Sequence, residues 1–181
     1  MTSAPLWETE YTTAGAGETK ALAARLGAQL RRGDLLLLTG ELGAGKTTFT
    51  QGLGEGLGVR PGIISPTFVL VREHPSLAGG PDLVHVDAYR LGSEGEIDDI
   101  DLEATMDRAV TVVEWGHGLV EHLSDSRLEI TLVRAVGGTA AGSTDGAGEP
   151  GTDFSEEDTD ESRTIRLAGY GPRWAQAPDL G

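Results

Sequence analysis

Eight consecutive residues, Gly40-Glu41-Leu42-Gly43-Ala44-Gly45-Lys46-Thr47, match the pattern G-x-x-x-x-G-K-[ST]. That pattern binds phosphate. Its glycines let backbone N–H groups turn toward an anion, and a helix opening behind them adds the positive end of its dipole. The Lys46 ammonium suits β- and γ-phosphates, and the Thr47 hydroxyl suits Mg²⁺. The candidate nucleotide-binding residues are therefore Gly40, Glu41, Leu42, Gly43, Ala44, Gly45, Lys46, Thr47 and Thr48.

The flanks have to position this loop. Leu35-Leu36-Leu37-Leu38 is an apolar run sized for a buried strand. After the loop, Phe49, Leu53 and Leu57 recur at helical spacing. A glycine-rich turn matching by chance would lack that strand before it and that helix after it. Three glycines, Gly52, Gly54 and Gly56, sit inside this helix. Each costs about 1 kcal/mol against alanine. Plain tolerance is expected, with close packing on a neighbouring element as the alternative.

Further apolar runs end in acids. Asp87 closes 83–86 and Glu114 closes 110–113. In a mainly parallel sheet, ligands sit beyond the carboxyl ends of the strands, so both acids share a rim with Lys46 and Thr47. Asp87 is expected to hold Mg²⁺ directly or through water, as in other phosphate-loop enzymes; capping a turn is the plainer role. Glu114 has three options: orienting or deprotonating an attacking water, standing as a second acid near Mg²⁺, or forming a strand-end ion pair. Trp115 beside it packs, excludes water or faces a partner. Thr67, in Ser65-Pro66-Thr67, sits where nucleotide switches place a threonine that senses Mg²⁺ and the γ-phosphate; the bare residues also allow a strand-entry turn. The four histidines lack metal-ligand spacing, although His85 shares a strand face with Asp87.

Composition narrows the function. The 181 residues carry a net charge of −15, with a pI near 4.5. Gripping a nucleic-acid backbone needs Lys and Arg, and the only lysines are Lys20 and Lys46. Absence of cysteine excludes disulfides and thiolate chemistry. No run approaches the ~20 apolar residues of a membrane span, and the first residues lack a signal-peptide pattern. A soluble cytoplasmic protein is the expectation. No asparagine is present, hence no Asn/Thr-Lys-x-Asp guanine motif, which favours ATP.

The rest of the chain reads as one α/β domain. An edge strand is expected over 6–11, an amphipathic helix over 17–30 and a strand over 68–71. Ser93-Glu94-Gly95-Glu96 matches a capping box. Helical pieces are expected over 94–107 and 119–123, and closing strands over 127–133 and 164–167. Residues 137–162 hold eight acids and no base. Such a segment buries too little apolar surface to offset its ordering entropy. It is expected to be a disordered insertion, with 1–136 and 163–170 as the domain body and 171–181 as a flexible tail.

In order, Gly40-x-Leu42-Gly-Ala-Gly-Lys-Thr-Thr48, Ser65-Pro66-Thr67-Phe68, His85-x-Asp87-x-Tyr89-Arg90-Leu91 and Val113-Glu114-Trp115 resemble the TsaE family over about residues 13–133. These are small ATPases required for threonylcarbamoyladenosine on transfer RNA. The resemblance implies a P-loop three-layer sandwich with a mixed, mainly parallel central sheet. It implies Mg²⁺ around Thr47, with Asp87 and Glu114 nearby, and a switch-like Thr67. It also implies ATP hydrolysis that is slow alone and coupled to TsaD and TsaB, with tRNA contacted only indirectly. The catalytic set is then Lys46, Glu114 and Thr67; the metal set is Thr47, Asp87 and Glu114. The rivals are a small-molecule kinase, for which no arginine-rich lid is visible, and a nucleotide-dependent assembly factor with little hydrolysis.

Overall fold

The computed structural model describes residues 3–66, 70–135 and 161–181. Thr67, the start of the expected 68–71 strand and nearly all of the 137–162 insertion lie outside them.

Among the described residues, seven strands form one sheet in the order β1-β7-β6-β2-β5-β4-β3. They are β1 (Trp7–Thr13), β2 (Leu35–Gly40), β3 (Val71–His74), β4 (Asp82–Asp87), β5 (Ala109–Glu114), β6 (Arg127–Arg134) and β7 (Arg163–Tyr170). The central four, β6-β2-β5-β4, run parallel. The flanking pairs β1–β7, β6–β7 and β3–β4 are antiparallel. Buried strands of this kind are apolar throughout because both faces are covered; β2 is leucine at its first four positions.

Alternation sends successive β2 residues to opposite layers. Leu36 and Leu38 join the core under α1 (Ala16–Gly27) and α2 (Lys46–Leu57). Leu35 and Leu37 join a second core with Ile97, Leu102 and Met106, from and beside the short helices α3 (Glu94–Ile100) and α4 (Glu103–Met106). The result is a three-layer α/β sandwich.

The helix glycines earn their place through contact, not tolerance. A Cβ on Gly52 would lie 2.4 Å from the Lys20 carbonyl oxygen, and one on Gly56 2.1 Å from that of Ala24. α1 and α2 therefore touch backbone to backbone, and α2 keeps its full twelve residues. Helix α1 stops at Gly27, three residues before the expected end, although Leu30 still faces the core. On the other side, Ser93 caps α3 by accepting the Glu96 N–H at 3.3 Å. Glu96 reaches back to the Gly92 N–H, one residue beyond the capping-box position.

The tail departs from expectation. Residues 171–181 pack on the body: Trp174 and Leu180 are buried, and the Trp7 indole donates to the Trp174 carbonyl at 2.7 Å. Arg173 forks onto buried Asp34 at 2.8 and 3.0 Å, beside the start of β2. Two prolines suggested looseness, but apolar burial and a paired charge hold the segment.

Candidate functional site

The phosphate loop runs from the end of β2 into α2. Gly43 and Gly45 have φ of 78° and 99°, the left-handed region that side chains avoid. Among the described residues, no side chain caps the α2 N-terminus, and its first turn has no acid. The first N–H groups of a helix lack intrahelical partners, so here they are available to an anion. Helix α3, capped by Ser93, offers no such opening.

β4 and β5 supply the acids. Asp87 pairs in register with Glu114, and both are buried. Alternation puts them on the same sheet face as Leu83, Val110 and Val112, which is the α2 face. The loop, Asp87, Glu114, Trp115 and Arg163 line one cleft of about 860 Å³. Asp87 Oδ1 accepts the Tyr89 N–H at 3.0 Å. Glu114 Oε2 lies 3.5 Å from Nε2 of fully buried His85.

Lys46 begins α2 beside these acids. Burial pushes its ammonium below the usual lysine value, while the Glu114 and Asp87 carboxylates pull it back up. Its Nζ donates to the Gly40 carbonyl and, at 3.3 Å, to that of Glu41. It also stands 4.8 Å from the Trp115 ring centroid, a cation–π distance. Trp115 has φ of 59°, a conformation rare outside glycine. Its N–H donates to the Leu38 carbonyl at 3.2 Å, and Tyr89 packs edge-on at 5.7 Å. The strained turn thus swings the indole over the cleft directly after Glu114.

Every loop residue from Gly43 to Thr48 except Ala44 lines the cleft, as do Glu41 and Leu42. Ala44 is buried instead. Ser65 lines the cleft too, but Thr67 lies outside the described residues. Arg163 escaped the sequence reading because the last strand was expected to begin at Thr164. Strand β7 begins one residue earlier, and Arg163 shares the buried face of Ile165 and Leu167. A charged residue at an inward position of an alternating strand was the available signal.

Residues 13–139 match the family model described as threonylcarbamoyl adenosine biosynthesis protein TsaE. The chain belongs to the TsaE family. That family is named for the biosynthesis of threonylcarbamoyladenosine on transfer RNA. A Streptomyces coelicolor tRNA threonylcarbamoyladenosine biosynthesis protein TsaE is 51% identical over 159 residues, covering 87% of this chain and 95% of that one. The Bacillus subtilis protein of the same name is 42% identical over 126 residues, covering 70% and 78%. The crystal structure of Bacillus subtilis YdiB matches with a TM-score of 0.64 at 31% identity, covering 93% of this chain and 89% of that one. The phosphate-loop α/β fold is therefore that of the TsaE family.

The site's chemistry fits a magnesium nucleotide. Its donors are a hydroxyl and two buried carboxylates, the hard oxygen set that Mg²⁺ takes. The uncapped α2 N-terminus and Lys46 suit the phosphates.

Proposed function

We propose that this protein is an Mg²⁺-dependent ATPase that drives threonylcarbamoyladenosine formation on tRNA within a complex with TsaD and TsaB. One observation carries the reading: a glycine-shaped phosphate loop and two register-paired carboxylates share a single cleft. Lys46 leaves the Gly40 carbonyl to meet the β- and γ-phosphates. Thr47 and Asp87 would hold Mg²⁺, which would neutralise charge on the phosphates. Glu114 would orient the attacking water, and Trp115 would keep bulk water out. Thr67 acts as the switch that senses the γ-phosphate. Catalysis is then mostly positioning and electrostatics, as is general for phosphoryl transfer.

ATP is favoured over GTP by the missing guanine motif. The acidic chain leaves RNA contact to its partners. Among the described residues no helix is long and apolar enough to cross a membrane, in keeping with a cytoplasmic place. The described residues, the 171–181 tail included, form a single ATPase body.

The test is steady-state ATP hydrolysis with and without purified TsaD and TsaB. Slow turnover alone and stimulation by the pair is expected, together with loss of modified tRNA when the chain is removed. A phosphorylated small product would instead identify a kinase. Nucleotide binding without stimulated hydrolysis would identify an assembly factor.

A further inference from the structure

Arg163 opens β7, 119 residues after Ala44 and beyond the matched family segment. Its side chain is only 8% exposed. Nε donates to the Ala44 carbonyl at 3.1 Å, and Nη2 to the Gly43 carbonyl at 3.3 Å. Nη1 is held by the Glu161 carbonyl at 2.9 Å. A buried guanidinium thus grips two consecutive carbonyls of the phosphate loop, while its other end is anchored in its own strand entry.

In a trans peptide the carbonyl and the following N–H point in opposite directions. Fixing the Ala44 carbonyl on Arg163 therefore turns the Gly45 N–H the other way. Charge supports the same role. Residues lining the cleft include three carboxylates, Glu41, Asp87 and Glu114, against two cations, Lys46 and Arg163. Both cations favour a polyphosphate entering a cleft of that balance.

We propose that Arg163 is a positioning residue for nucleotide phosphates: it sets the loop peptides through the carbonyls of Gly43 and Ala44 and supplies the cleft's second positive charge. The inference rests on the nucleotide reading above. Lysine keeps the charge but not the planar fork, and methionine keeps neither.

The experiment is calorimetric binding of ADP and Mg-ATP to the full chain and to R163M, R163K and E161Q, with thermal melts alongside. For R163M, Kd is expected to rise at least tenfold, with R163K between it and the parent. In hydrolysis with partners, KM should rise while kcat stays within threefold. The exposed Glu161 carboxylate touches Arg163 at 3.4 Å without contacting the loop carbonyls, so E161Q should stay within twofold. R163K is judged by its own threshold of threefold should R163M not fold. Unchanged Kd in a folded Arg163 variant, or equal weakening by E161Q, overturns the inference and leaves the nucleotide reading intact. A parent chain that binds neither nucleotide overturns both.

Discussion

The two faces of the central sheet are built from alternate residues of the same strands, yet they differ in kind. On the α2 face, β4 and β5 end in Asp87 and Glu114 over a glycine-shaped loop. Two twelve-residue helices press together there, glycine against carbonyl. On the α3 face, Leu35, Leu37, Val84, Val86 and Val113 meet short helices through apolar side chains. One face combines a large core and a tightly held frame with the candidate site at its upper rim; the other is packed chiefly through apolar side chains. A period of two residues is enough to separate the roles, which is why neighbouring substitutions should have different consequences.

Leu37→Ala should cost about 3–4 kcal/mol of folding free energy by emptying part of the α3-side core. Nucleotide Kd of the folded protein should remain within twofold, as denaturant melts and calorimetry together would reveal. Lys46→Ala should do the reverse, with little loss of stability and Kd weakened about 100-fold, close to 2.7 kcal/mol. Gly56→Ala probes the frame itself. Its methyl would meet the Ala24 carbonyl at 2.1 Å, and overpacking of that sort costs about 2 kcal/mol. A neutral or stabilising result would mean that the α1–α2 contact is looser than described.

The smallest effect concerns the loop crossing the α3 face. Burial raises the Glu121 carboxyl, but the Gly118 N–H and then the charges of His117 and Arg127 outweigh it, leaving the pKa below 4.5. A depressed folded-state value gives stability that is present above the unfolded pKa and lost as pH falls through the folded one. Glu121→Gln should therefore flatten the loss of stability below about pH 4.5. An unaltered acid limb would show that these contacts hold no differential charge.

Much of the cleft was legible because most of the residues that line it belong to local patterns. Loop, strand run and helix are contiguous over residues 35–57, and Asp87 and Glu114 each end an apolar run. Arg163 was not legible in that way, since the loop carbonyls it holds lie more than a hundred residues earlier. The tail was misjudged for a related reason. Pro172 and Pro178 are local signals, whereas burial of Trp174 and the Arg173–Asp34 pair are tertiary. The glycines of α2 looked like a cost because propensity counts residues singly. Their benefit lies on α1, where no helix scale registers it.

The central claim, that the rim above the α2 face holds a magnesium nucleotide, is tested most directly by measuring ATP affinity with and without Mg²⁺ for the parent and for Asp87→Asn. Mg²⁺ should tighten binding to the parent at least tenfold, and that increment should fall below threefold in the variant while Mg²⁺-free affinity is maintained. An equal Mg²⁺ increment in both proteins would contradict the assignment of Asp87 and, with it, the division of labour between the two faces.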